Sequence, residues 1–196
     1  MSNSKAGYIS SVAMLSSLAA VMTLLKLEVP YPLIPYLKFD FAEIPSAIAL
    51  LMYDLKTSSL VALVHLLILM IRGEFVPLGP LMKFAAVIST LLGFYPSLIG
   101  RKNVNLRRVI FGMMTAIVAR CIIMTLANYL VLTLLMPDLI KATSSLLRRV
   151  VDMRGLDDLA YILIFTGLYN AMHVIMTIGL AFIIFKHVKN LIPSLH

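Results

Sequence analysis

Polar side chains that interrupt the long apolar runs of this sequence include Lys83, Arg120, Asn128, Asn170 and His173. In a segment surrounded by lipid such a group needs a partner or a function, because hydrocarbon replaces none of its lost hydration. At 1.5 Å per residue, Asn128 lies ~12 Å from a helix end near Met136, and Asn170 ~18 Å from an end near Asp158. Lys83 falls in the first turns of its own run. Lys83, Asn128, Asn170 and His173 can therefore converge in one half of a helical bundle and form the polar lining of a site. Catalysis is not the chemistry they suggest: HExxH, GxSxG, CxxC and the phosphate-cradling GxxxxGK[ST] are all missing from the sequence. Histidines scattered over separate segments do not read as a metal cluster. The expectation is a non-enzyme with no metal site.

Plainer roles compete for each residue. Lys83 can snorkel to headgroups, the two asparagines can serve as interhelical hydrogen-bonding glue, and His173 can be a structural donor. Arg120 is too deep to snorkel and must be paired or face water, but the sequence does not name its partner. His65, alone in its span, reads as structural. The single cysteine, Cys121, excludes a disulfide within the chain and reads as a small buried apolar side chain.

A second group of interest is the stretch YLKFDFAEIP, Tyr36 to Pro45, which sets Lys38, Asp40 and Glu43 between two apolar segments. Asp40 and Glu43 have capping-box spacing, with Asp40 as N-cap and Glu43 at N3. A helix start fixed in this way would hold Lys38, Phe39 and Phe41 over an outward pocket. On this reading the charges are tolerated because the stretch is an outer loop close to water.

The elements that must position these residues follow from composition. With 61% hydrophobic and 13% charged residues, the chain departs from the roughly 45–50% apolar and 25% charged usage of soluble domains. It reads as an all-α integral membrane protein, one domain over residues 1–196, with six spans near 9–26, 43–55, 57–72, 80–99, 108–136 and 158–186. The second is too short to cross a roughly 30 Å hydrocarbon core comfortably by itself. The first lacks a convincing cleavage site and is expected to stay as a span. The net charge of +8 comes largely from Lys and Arg flanking apolar runs, which suits headgroup anchoring in the lipid bilayer rather than nucleic-acid binding.

Six spans put both termini on one side. The basic loop with Arg101, Lys102, Arg107 and Arg108, together with Lys5, Lys186 and Lys189, makes that side cytoplasmic by the positive-inside tendency. Lys141, Arg148, Arg149 and Arg154 in the opposing loops weaken the bias. The longer irregular connections then all lie outside, which suggests a site opening outward. In the first span, Ala13/Ser17 and Ser16/Ala20 form small-xxx-small pairs, suited to internal packing or to docking a partner membrane protein.

Four segments, LKFDFAEIP, GPLMKFAA, MTLANYLVL and YNAMHVI, occur in an order that resembles the riboflavin-specific substrate-binding subunit (S component) of energy-coupling factor (ECF) transporters. The resemblance implies a six-helix cell-membrane bundle that binds riboflavin at its outer side. It also implies partners, namely a transmembrane coupling protein and two ATPase subunits, and no cofactor beyond the transported vitamin. Carried over motif by motif, the ligand-binding positions are Lys38, Asp40 and Phe41 in the first loop, Pro80, Leu81, Met82 and Lys83 at the start of the fourth helix, and Asn128, Asn170 and His173. The family commonly has Lys where this chain has His173. Rival readings are an S component for another vitamin or a nucleobase-like compound, and a structural or assembly membrane protein whose polar groups are only glue.

Overall fold

The computed structural model describes residues 2–72, 75–100, 104–153 and 155–191, with side chains from residue 7 onward. Arg101, Lys102, Arg154 and the Lys5 side chain, invoked above for topology, lie outside the described residues. The first helix, α1 (Ser2–Leu24), ends where Lys26 takes a left-handed conformation, φ 53°. The reversal leads into an antiparallel hairpin of β1 (Glu28–Tyr31) and β2 (Ile34–Asp40), in which Glu28 faces Asp40 and Val29 faces Phe39. Pro30 and Pro35 cannot donate to a ladder, but in a two-stranded ribbon each strand keeps one free edge where the missing N–H costs nothing. The stretch that carries Pro30, Pro32 and Pro35 therefore folds as a ribbon.

A single 3₁₀ turn, Phe41–Glu43, joins the hairpin to α2 (Ile44–Met52). Pro45 falls in the first turn of α2, where its missing N–H is not needed by the helix. After α2 the chain runs through α3 (Leu55–Arg72), α4 (Leu78–Phe94), α5 (Leu106–Leu130), α6 (Asp138–Leu147) and α7 (Asp158–Leu191). Asp54 starts α3 by accepting from both the N–H and the hydroxyl of Thr57 at 2.7 Å. Asn105 starts α5 by accepting from the Arg108 N–H at 3.1 Å. The α5 helix continues through one π turn, Val131–Leu135.

Among the described residues, five helices are long and apolar enough to cross a membrane: α1, α3, α4 with its 3₁₀ extension, α5 with its π turn, and α7. Where the sequence predicts a span over 43–55, the chain has the nine-residue α2, buried from Ile44 to Leu51. It begins deep because β2 first carries the chain into the bundle. Asp40 at the end of β2 lies beside His65, 3.4 Å away, and His65 is two turns, ~10 Å, below the Arg72 end of α3. The polar stretch after residue 136, read from sequence as a loop, contains α6.

Two apolar clusters hold the bundle together. Ala19, Ile48, Val61, Leu91, Phe94, Ala116 and Ile178 belong to the larger, which joins α1, α2, α3, α4, α5 and α7. The smaller sits at the hairpin end, where Tyr31 and Ile34 pack with Leu132, Leu147, Ile162 and Tyr169. Large apolar side chains such as Leu67, Phe111, Val118, Ile122, Ile164 and Ile183 are exposed on the outside, the arrangement expected of helices whose solvent on that face is lipid. Backbones approach closely between α4 and α5. A Cβ added at Gly93 would sit 2.7 Å from Ala116 Cα and 2.9 Å from the Thr115 carbonyl, both backbone atoms that cannot swing aside.

Gly93→Ala is therefore expected to lower thermal stability in detergent by about 1–3 kcal/mol through forced helix separation. Gly179→Ala meets nothing within 4 Å and should be neutral or stabilising by up to about 1 kcal/mol through helix propensity. Equal effects of the two substitutions would contradict the packing account.

Candidate ligand-binding site

A cavity of about 250 Å³ lies beneath the hairpin, between α3, α4, α5 and α7. Tyr36, Leu37 and Lys38 of β2 cover it, and Pro80, Met82 and Lys83 of α4 form one wall. The opposite wall comes from Met124 and Asn128 of α5 with Tyr169 and Asn170 of α7. The π turn adds Val131 and Leu132. Such a turn holds one more residue than an α turn, so it changes which side chains a helix presents, and π turns recur at functional sites. Apolar walls with a few fixed polar groups are the usual make-up of a small-molecule site.

The floor is charged. Arg120 and Glu43 line it, 1% and 2% exposed. Arg120 Nη1 donates to Glu43 Oε2 at 2.8 Å and to Thr90 Oγ1 at 3.2 Å, and Nε donates to Asn170 Oδ1 at 3.0 Å. The partner that sequence reading left unnamed is thus Glu43, with α4 and α7 supplying the rest. The capping box is only half formed. Asp40 Oδ1 does accept from the Ala42 N–H at 2.9 Å, but the Glu43 carboxylate reaches into the bundle for Arg120 rather than back to the Asp40 backbone.

The expectation that these charges are tolerated by closeness to water is corrected here. Asp40 and Glu43 are each 2% exposed, so direct partners stabilise them. Lys83 Nζ donates to Asp40 Oδ2 at 2.6 Å, and His65 Nε2 approaches the same oxygen at 3.4 Å. Lys83 is therefore an interior ion-pair partner rather than a snorkelling anchor. Opposite Asp40 on β1, Glu28 accepts from Lys38 Nζ at 2.8 Å and from Arg72 Nη2 at 2.5 Å. Burial by itself would raise both carboxyl pKa values. For Asp40 the neighbouring His65 and Lys83, and for Glu28 the bonds from Arg72 and Lys38, overcome that push and hold each group below the ordinary carboxylate range.

The α7 helix anchors β2 through residues one turn apart. The Tyr169 hydroxyl donates to the Lys38 carbonyl at 2.6 Å, and His173 Nε2 meets the Asp40 backbone, 3.3 Å from the amide nitrogen and 3.4 Å from the carbonyl oxygen. Phe39 packs over both rings, at centroid distances of 5.0 Å from Tyr169 and 5.6 Å from His173.

Of the residues predicted from sequence, Lys38, Pro80, Met82, Lys83, Asn128 and Asn170 line the cavity. Asp40 and His173 lie outside the lining and fasten the hairpin, Phe41 packs against the larger core cluster, and Leu81 is 48% exposed. On α1, Ala13 and Ser17 are exposed, whereas Ser16 is buried and Ala20 half-buried. Sequence reading missed Glu28, Glu43, Arg72 and Tyr169 as site residues. Tyr169 had a signal, since it stands beside Asn170 and four residues before His173, on the same helix face.

A bundle of membrane-length helices enclosing a cavity with fixed polar groups defines a membrane-embedded binding subunit. The family model that describes the substrate-specific component of ECF transporters matches residues 8–190, and the chain belongs to that family. It is a multi-pass membrane protein of a family of transporter components. Over 122 residues it is 33% identical to the riboflavin transporter RibU of Staphylococcus aureus (strain TCH60), covering 62% of this chain and 63% of that protein. Over 125 residues it is 32% identical to the riboflavin transporter FmnP of Bacillus subtilis (strain 168), covering 62% and 64%. The matches thus span just under two thirds of each relative's length. The solved structure described as "Structure and mechanism of the S component of a bacterial ECF transporter" shares the fold, with a TM-score of 0.73, 24% identity, and coverage of 96% of this chain and 98% of that one.

The depressed carboxyls fix a pH dependence. A carboxyl whose folded pKa lies below its unfolded value contributes stability that is complete above the unfolded pKa and is lost as pH falls through the folded one. Asp40 and Glu28 should therefore contribute equally across about pH 5–8 and progressively less below about pH 4, near the unfolded carboxylate value. Melting temperatures across pH check this: Asp40→Asn should be less stable than wild type at neutral pH and should lose less on acidification.

Proposed function

We propose that the chain is the riboflavin-binding S component of an ECF transporter. The observation that carries this reading is the state of Asn128 at the cavity wall. Its Nδ2 donates to the Met124 carbonyl at 2.7 Å, which leaves Oδ1 and the second N–H for a ligand. A carboxamide offering one acceptor beside one donor complements the pyrimidine edge of isoalloxazine, where an N–H stands next to carbonyls. The apolar faces of the ring system suit Met82, Met124 and Leu132. Tyr36 and Tyr169 supply aromatic surface in a chain without Trp. Lys38 and Lys83 are polar partners for the ribityl hydroxyls, and Pro80 shapes the wall. The names and identity of the two relatives support the same ligand.

In this reading Asp40 and His173 serve the site by seating the hairpin over it. The hairpin end faces outward and both termini are cytoplasmic. The exposed Ala13/Ser17 edge of α1 docks on a transmembrane coupling protein driven by two ATPase subunits, with Ser16 and Ala20 packing inward. Riboflavin is cargo and no cofactor is required.

Protein purified from cells grown with riboflavin should carry flavin absorbance, and mass spectrometry should identify the bound compound as riboflavin. A different vitamin in the cavity, or flavin-free protein that fails to take up added riboflavin, would overturn the assignment. Asn128→Ala should weaken riboflavin binding about tenfold or more through the lost paired hydrogen bonds, with little change in melting temperature. Loss of folding without any selective loss of affinity would instead mark Asn128 as structural glue.

A further inference from the structure

All five N–H groups of Arg120 are engaged, and by groups on different elements. Besides the bonds to Asn170, Glu43 and Thr90, Nη2 reaches Glu43 Oε1 at 3.4 Å and His173 Nδ1 at 3.0 Å. A guanidinium can only donate, so it dictates the hydrogen-bond sense of whatever it touches. Asn170 must turn its oxygen to Arg120. Its Nδ2 donates to the Thr166 carbonyl at 2.9 Å, and the one N–H left over is a donor at the cavity wall. A flipped carboxamide would set donor against donor.

The same logic fixes His173. Its Nδ1 accepts from Arg120 at 3.0 Å, and its Nε2 meets the backbone of Asp40, 3.3 Å from the amide nitrogen and 3.4 Å from the carbonyl oxygen. With the Nδ1 lone pair taken, the Tyr169 hydroxyl, 3.0 Å from it, sends its own proton to the Lys38 carbonyl. One guanidinium therefore decides what the cavity offers through Asn170 and how β2 is fastened through Tyr169 and His173. A lone positive charge would not do this, because it lacks the planar fork that fixes several partners at once.

We infer that Arg120 is a positioning residue whose fork, beyond its charge, sets the ligand-facing donor of Asn170 and the hairpin anchors of Tyr169 and His173 together. Ligand affinity and hairpin seating are thus coupled through it. The inference rests on the riboflavin reading for its ligand arm only.

Arg120→Lys keeps a cation for Glu43 and removes the fork. Riboflavin affinity by flavin fluorescence and hydrogen exchange of the hairpin amides between residues 28 and 40 are the two readouts, with melting temperature as control. The variant should bind about tenfold more weakly, and its hairpin should exchange faster even without ligand. Asn170→Ala should weaken binding in the wild type but add little in the Arg120→Lys background, whereas Asn128→Ala should cost the same factor in both. Additive effects of Asn170→Ala and Arg120→Lys, or unchanged hairpin exchange, would overturn the inference. If Arg120→Lys does not fold, Glu43→Leu with Arg120→Met removes both buried charges at once, a change cores often tolerate. That double variant should show the same losses, and normal affinity with normal hairpin exchange would overturn the inference. If the wild type binds no riboflavin, the ligand reading fails, and hairpin exchange in the ligand-free variant alone decides the positioning role.

Discussion

The ion pair between Glu43 and Arg120 is the constraint on which the rest of the structure depends. Both side chains are almost wholly enclosed, their closest atoms 2.8 Å apart. Removing one partner from such a pair typically costs about 3–5 kcal/mol, because the other charge stays buried without compensation. The 3₁₀ turn after the hairpin is therefore fastened to the middle of α5, and the chain cannot leave α1 as a surface loop. It must descend between the helices before α2 begins, which explains why α2 is short and why β2 lies over a cavity.

From that anchor the two sides of the cavity acquire different mechanical character. The α4–α5 wall is close-packed through Gly93, with no room for even one added carbon, and interiors packed in this way resist deformation. The hairpin is held by the apolar packing of Tyr31 and Ile34 and by polar links: Lys83 to Asp40, Arg72 and Lys38 to Glu28, Tyr169 to the Lys38 carbonyl. Each link contributes little net stability, on the order of 0.5–1.5 kcal/mol for a neutral hydrogen bond and somewhat more for a charged one. Such links can be exchanged for water or for other partners at moderate cost. A rigid wall facing a cover held in part by exchangeable bonds is the arrangement a binding subunit needs if it is both to enclose its ligand and to give it up.

Much of this was legible in the sequence, for reasons that can be stated residue by residue. The apolar runs gave the membrane helices, and the rarity of polar groups within them made Lys83, Asn128 and Asn170 visible as site candidates. The partner of Arg120 was not legible, because Glu43 lies 77 positions away and satisfied a local capping pattern equally well. Local spacing and tertiary pairing competed for the same carboxylate, and the buried cation won. The hairpin was hidden by its prolines, which read as breakers and gave no strand signal. The depth of Asp40 was hidden too, since its distance from water depends on where β2 descends, which no local pattern encodes. The π turn after Asn128 left no recognisable trace in an unbroken apolar run.

A crystal structure of the chain bound to riboflavin tests the account most directly. It should show the flavin in the cavity beneath β2, its pyrimidine edge against Asn128, with the Glu43–Arg120 and Asp40–Lys83 pairs intact. Flavin bound elsewhere, or a hairpin lifted from the bundle with those pairs broken while the ligand is held, would contradict it.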